Sequence, residues 1–295
     1  MDINKHGLSR NIPDPTKRKV RQRCGFGCIN CGNAIYQYEH LDPEFADALK
    51  HDPDCIVLLC GACHDRVTRG LLSKETVKEK ATKPKCKERG FSFGPFDIGN
   101  DPPEIVLGTI VARNAQTLIR ICGNDVFAVR PPENNGGPFK LDARFFDADD
   151  RPILDIVENE WRSSSDNWDV EISGARIAIR KALGKLALVL RAEPPRRLVI
   201  EQMDMVHKGI RVSCREGTAF QAITPGGITF NTTGCESDDW RVGVDIDETG
   251  IKVSQGGATR IVHATTIAGG GRLPRNAPCF CGSGLKFKRC HGRMS

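Results

Sequence analysis

Two C-x-x-C knuckles constrain this chain more than any other feature. Cys28-Ile-Asn-Cys31 and Cys60-Gly-Ala-Cys63 are separated by 28 residues. Four thiolates at such spacing close a tetrahedral Zn²⁺ site, so the polypeptide between them must leave and return to one point. Gly32, directly after the first knuckle, suits the tight turn this needs. Cys24, four residues before Cys28, is a further thiol within reach. The 13 cysteines are odd in number and the opening residues, MDINKHGLSR, lack the apolar run of an export signal. Metal binding rather than disulfide formation, in a cytoplasmic protein, is therefore the expectation.

Between the knuckles, residues 35–43 read as a strand ending in Glu39-His40, and residues 54–60 as a second strand entering the second knuckle. Residues 62–72 read as a short helix with His64 in its first turn. Glu39-His-Leu-Asp-Pro43 and Leu59-Cys-Gly-Ala-Cys-His64, occurring together and in this order, resemble the motifs of the HNH endonuclease family. The resemblance covers about residues 12–72 and implies a ββα-metal fold that hydrolyses phosphodiesters in nucleic acid, with DNA the expected substrate. It implies that His40 is the general base, with Glu39 and His64 holding a catalytic divalent ion, Mg²⁺ or Mn²⁺. The family's middle ligand, usually Asn, falls here on Cys55. A thiolate is a poor ligand for Mg²⁺. Asp54 next door is the alternative ligand; a softer ion or a disabled site are the other readings. The rival reading is a non-catalytic zinc protein, an adaptor for nucleic acid or for another protein. Lys17, Arg18, Lys19, Arg21 and Arg23 precede the first knuckle and are expected either to grip phosphates or to form a solvated helix face.

A second cluster lies near the C-terminus. Cys279, Cys281, Cys290 and His291 offer three thiolates and an imidazole, and Gly282-Ser-Gly284 lets the chain reverse between them. So short a segment needs a metal to fold. With Asn276, Pro278, Lys286, Phe287 and Lys288, these residues resemble the SEC-C zinc motif, found at the C-terminus of the bacterial protein-translocation ATPase and appended to many other bacterial proteins. The motif implies a zinc-bound docking element for a protein or a nucleic acid. Two structural Zn²⁺ per chain are expected.

Charge follows the same division. Residues 1–90 carry 17 Lys and Arg against 12 Asp and Glu, and residues 266–295 carry 6 against none, while residues 91–265 hold 20 against 25. Any polyanion should therefore meet the ends. Residues 104–265 alternate apolar and polar positions between recurrent Gly turns, which suggests a β-rich domain. Gly209-Ile210, Gly227-Ile228 and Gly250-Ile251 faintly echo one another, as solenoid rungs would. Trp161, Trp168 and Trp240 point to core, and no apolar run is long enough to span a bilayer. The expected plan is an α+β multidomain chain: an N-terminal ββα-metal (HNH) module at 1–75, a charged helix and linker at 76–103, a central all-β domain (sandwich or solenoid-like) at 104–265, a Gly-rich linker at 266–273 and a small C-terminal zinc motif at 274–295.

Overall fold

The computed structural model describes residues 3–267 and 286–289. The first elements are helix α1 (Asp14–Cys24), strands β1 (Gln37–His40) and β2 (Ile56–Leu59), helices α2 (Gly61–Thr68), α3 (Lys74–Thr82) and α4 (Lys85–Arg89), and strand β3 (Phe91–Pro95). Strands β4 (Glu104–Leu107), β5 (Ile110–Arg113), β6 (Thr117–Ile121), β7 (Asn124–Arg130), β8 (Lys140–Phe146) and β9 (Pro152–Val157) follow. Next come β10 (Glu160–Ser164), β11 (Asp169–Ser173), β12 (Arg176–Ala182), β13 (Lys185–Glu193) and β14 (Arg197–His207). The last are β15 (Ile210–Arg215), β16 (Phe220–Ile223), β17 (Thr229–Asp238), β18 (Val242–Ile246), β19 (Ile251–Gln255) and β20 (Ala258–Ile267).

This corrects the expected plan. The chain is mostly β-sheet, and residues 1–75 are not a self-standing ββα module. Among the described residues two compact units form instead: one from the residues before 96 together with 160–185, the other from 96–159 together with 186–267. The expected β domain at 104–265 is thus interrupted, because β10, β11 and β12 fold with the N-terminal residues.

A buried ion pair explains much of that recruitment. Arg21 of α1 is only 5% exposed, and Asp169 at the start of β11 only 1%. Arg21 donates Nε–H to Asp169 Oδ1 at 2.8 Å and Nη2–H to Oδ2 at 2.7 Å, while Nη1–H reaches the Tyr38 hydroxyl at 3.1 Å. Burial disfavours the charge, but Asp169 and Tyr38 outweigh it and hold the guanidinium pKa above its usual value. A charge buried so deeply cannot be left alone, so α1 needs the 160–185 segment. Gln22 adds a bond to the Trp168 carbonyl at 2.7 Å, and Arg18 lies 5.2 Å over the Trp168 ring.

The charged stretch from residue 74 opens with a helix, as expected, and continues into a second one, α4. Ser73 caps α3 by accepting from the Thr76 N–H, and Val77 is buried. Cys86 of α4 is also buried, and Lys85 N–H donates to the Ile29 carbonyl at 2.9 Å. β3 then pairs antiparallel with β10, placing Trp161 opposite Gly94. A Cβ at Gly94 would stand 2.7 Å from the indole, so only glycine admits the ring there.

In the second unit, β9, β8, β7 and β6 form an antiparallel run, and β6 continues it by pairing parallel with β18 and through it to β19. The other sheet is an antiparallel meander from β13 to β17, with β20 on the far edge of β17. The β4–β5 hairpin pairs parallel with both β14 and β17. The β15–β16 and β4–β5 hairpins therefore share the space between the two long strands end to end. Where their tips meet, Gly108 has φ +64° and a Cβ there would lie 2.5 Å from the Thr218 carbonyl oxygen. The glycines that hinted at solenoid rungs, Gly209 and Gly227, are left-handed turn residues with φ +76° and +83°, flanking strands that pair antiparallel rather than stacking as rungs. Among the described residues, no helix is long and apolar enough to cross a membrane.

Candidate metal centre and histidine site

The first knuckle forms because α1 stops abruptly. Gly25 adopts φ +73° and caps the helix, and its neighbour Phe26 donates N–H to the Arg21 carbonyl at 3.0 Å. The chain then turns through residues 28–33, closed by Cys28 N–H to the Asn33 carbonyl and Gly32 N–H to the Cys28 carbonyl, both 2.8 Å. Gly32, at φ +92°, fills the role its position predicts. Ile29 N–H donates to the Leu58 carbonyl at 3.0 Å, which fastens the turn to β2. The second knuckle begins where β2 ends: Cys60 is the N-cap of α2, which carries Cys63 and His64 in its first turn.

The Sγ atoms of Cys28, Cys31, Cys60 and Cys63 all lie within 4.8 Å of one another, and Cys31 Sγ is 3.6 Å from Cys60 Sγ. Tetrahedral Zn²⁺ with Zn–S bonds of about 2.3 Å spaces its sulfurs about 3.8 Å apart, so the donor set fits this ion. The Asn30 amide donates to Cys63 Sγ at 3.2 Å, a partner suited to thiolate charge. Without a cation the four thiols compete. The hydrogen bond from Cys31 brings the Cys28 thiol down to about 5, while the Cys31 thiol is pushed far up by that same bond and by burial. Burial raises the Cys63 thiol to about 11. Four thiolates this close need a positive ion. Cys24 stands apart from this set; burial raises its thiol to about 11, which marks it as inert core.

The two-stranded β1–β2 sheet carries the histidine site. Its register sets His40 opposite Ile56 and Glu39 opposite Val57. Glu39 and His40 are the last two residues of β1. His64 Nε2 approaches Glu39 Oε2 at 3.2 Å, and both side chains are more than a third exposed. His40 is only 8% exposed. Its Nε2 is 3.1 Å from Nδ1 of His51, whose Nε2 is 2.8 Å from the Ser9 carbonyl oxygen. The Phe45 ring meets His40 edge-on at 5.4 Å, with Arg10 over Phe45 at 4.6 Å. Burial first, then His51 and Arg10, lower the His40 pKa, so the imidazole is neutral at pH 7.

Other residues singled out by sequence are placed as follows. Cys55 ends a 3-10 turn, Pro53–Cys55, and its carbonyl accepts from Leu41 N–H at 2.8 Å. Burial, then the nearby Asp52, Asp54 and Asp42, keep its thiol above the usual value and so protonated. Asp54 N–H bonds to the Asp52 carboxylate at 3.1 Å. Glu39 and His64 meet, but among the described residues no third Cys, His, Asp or Glu completes a cluster with them. Of the five basic residues before the knuckle, Arg21 is spent on Asp169 and does not face phosphate, and Arg23 Nη2 donates to the carbonyls of Pro53 and Ile56. Lys17 and Arg18 are half-buried, Arg18 over the Trp168 ring, and Lys19 is exposed. His51 and Ser9 were missed by sequence reasoning. The signal for His51 was a second histidine eleven residues after His40, inside the same inter-knuckle segment. Cys279, Cys281, Cys290 and His291 lie outside the described residues.

No solved structure matches the chain. Protein translocase subunit SecA of Cupriavidus necator is 51% identical over 39 residues, 13% of this chain and 4% of that protein. The same subunit from Pseudomonas putida is 44% identical over 43 residues, 15% of this chain and 5% of its own. That from Granulibacter bethesdensis is 73% identical over 22 residues, 8% of this chain and 2% of its own. The similarity thus spans only a few per cent of the length of the curated relatives, and it says nothing of their activity here. Residues 275–293 match the family model of the SEC-C motif, so the chain carries a SEC-C motif at its C-terminal end.

Proposed function

We propose that this protein is a metal-dependent endonuclease of the HNH type, acting on nucleic acid, with DNA as the substrate. The observation that carries this reading is the placing of His40, buried and neutral, on the strand that also presents Glu39 to His64, all on a frame drawn together by four cysteines. A neutral imidazole takes a proton from water at neutral pH. The water oxygen bonds to phosphorus, the proton passes to His40, the bond from phosphorus to the leaving sugar oxygen breaks, and that oxygen takes a proton from solvent. Glu39 and His64 would hold a divalent ion, with the rest of its shell from water and phosphate, as Mg²⁺ and Mn²⁺ sites commonly are. Such an ion would supply charge stabilisation for the phosphate. Zn²⁺ at the Cys28, Cys31, Cys60 and Cys63 site is structural in this reading, a second Zn²⁺ sits in the SEC-C motif, and Lys17, Arg18 and Lys19 contact the phosphate backbone. The SEC-C motif would dock a protein partner.

Cys55 favours a second reading. Its protonated thiol stands where the resemblance calls for an oxygen ligand, and a chain without that ligand is a zinc-stabilised adaptor that binds nucleic acid or protein without cutting. Plasmid cleavage with Mg²⁺, Mn²⁺ and Zn²⁺ in parallel separates the two. Cleavage by the wild type, lost in His40→Ala, is the expected result. No cleavage with any metal, but activity in Cys55→Asn, identifies an adaptor disabled at this position.

A further inference from the structure

We propose that His51 is a positioning residue: through its bond to the Ser9 carbonyl it fixes His40 in the tautomer that leaves Nδ1 free to accept a proton. This rests on the nuclease reading for its consequence in catalysis, but the tautomer itself can be read without any cleavage.

The logic follows from donor and acceptor capacity. A backbone carbonyl only accepts, so the 2.8 Å contact requires His51 Nε2 to carry a hydrogen. With a single ring hydrogen, on Nε2, His51 has its lone pair on Nδ1. In that state Nε2 of His40, 3.1 Å from His51 Nδ1, is the donor. Neutral His40 has one ring hydrogen, and with it on Nε2 the lone pair of His40 is on Nδ1. The chain of bonds therefore runs from His40 through His51 to a fixed carbonyl, and it selects which nitrogen can act as a base.

The surroundings hold this relay in place. The Ser9 carbonyl sits on an N-terminal segment closed by Asn4, whose Oδ1 accepts from Leu8 N–H at 2.9 Å. The Asn4 amide also donates to the Phe45 and Ala48 carbonyls, at 2.6 and 2.7 Å. One side chain thus ties the segment carrying Ser9 to the loop between His40 and His51. Phe45 in that loop covers one side of the His40 ring. An imidazole held by packing on one side and a hydrogen bond on the other has little freedom to flip.

The test uses the full-length, zinc-loaded protein labelled with ¹⁵N at histidine. The expected spectrum shows His40 protonated at Nε2 and not at Nδ1, with a through-hydrogen-bond nitrogen–nitrogen coupling to Nδ1 of His51. His51→Phe, which keeps the ring volume, should abolish the coupling. His51→Asn offers a carbonyl acceptor near the same place and should retain a slowly exchanging His40 Nε2 proton. In cleavage, His51→Phe should lower kcat about tenfold to a hundredfold with KM unchanged, the loss typical when the partner orienting a functional histidine is removed. His51→Asn should recover most of it. Zinc content and thermal unfolding equal to wild type show that the Phe variant is folded. A wild-type spectrum with His40 protonated at Nδ1, or without the coupling, overturns the relay. So does full activity in a folded His51→Phe protein. If the wild type does not cleave, the nuclease reading fails, while the spectrum still decides the relay.

Discussion

Removing Asp169 should cost the protein far more than removing any surface carboxylate. Its side chain is almost wholly buried and accepts two bonds of 2.8 and 2.7 Å from Arg21, with Arg180 Nη1 a further 3.3 Å away. Asp169→Ala leaves the Arg21 guanidinium buried with only the Tyr38 hydroxyl as a partner. Breaking one side of a buried pair costs about 3–5 kcal/mol, because a charge is stranded away from water. Arg21→Met should cost less, since Arg180 still serves Asp169 and is itself partly exposed. The double variant Arg21→Met with Asp169→Leu removes both charges and should lie within about 1–2 kcal/mol of wild type, as apolar replacement of buried pairs is often close to neutral. Urea unfolding followed by tryptophan fluorescence reads this, with Trp161 and Trp168 in the same unit as the pair. The strong non-additivity is the signature of the pair. An Asp169→Ala protein within about 1 kcal/mol of wild type, the range of exposed pairs, would refute the claim that residues 160–185 anchor α1.

Metal analysis of the wild type should return two zinc equivalents, and Cys28→Ser should lose one of them together with the helical signal of α1 and α2, since structural zinc is worth about 10–16 kcal/mol in small zinc domains. Cleavage should fall on the acid side with a midpoint below pH 6.5, because His40 is held below that value and is inactive as a base once protonated. The same depression makes the unfolded chain take up this proton first, so the stability His40 contributes is complete above pH 6.5 and is lost as pH falls through the lowered value; urea midpoints across pH 5–8 check the sign. Gly108→Ala should destabilise the second unit by about 1–3 kcal/mol, because its Cβ would meet the Thr218 carbonyl oxygen at 2.5 Å, and a urea midpoint equal to wild type would show that the hairpin tips yield freely.

The site was more legible in the sequence than the architecture was. Cysteine spacing encodes a shared ion directly, and the side chains of Cys28, Cys31, Cys60 and Cys63 converge. The strand bearing Glu39 and His40 and the helix bearing His64 fall close to their expected places, since local alternation and turn residues set them. The alternation that marks residues 104–265 as β-rich is realised in strands such as β9 and β13. Long-range recruitment was not visible. Nothing local in Arg21 distinguishes it from Lys17 or Lys19, and only the fold shows that it is buried against a carboxylate 148 residues away. The stretch from Lys74 to Gly90 reads as a solvated helix followed by a linker because its charges dominate; the helix forms as α3, a second helix α4 follows it, and single apolar positions, Val77 and Cys86, are buried. His51 was overlooked because its role depends on a carbonyl, and carbonyls carry no sequence signature.

Cleavage of supercoiled plasmid by wild type and His40→Ala, with zinc measured in the same samples, tests the nuclease reading most directly. His40 lies outside the four-cysteine set, so its removal should leave zinc content unchanged. The rate should fall about a hundredfold to ten-thousandfold, the usual cost of losing a general base. Equal cleavage by the two proteins at equal zinc content would contradict it.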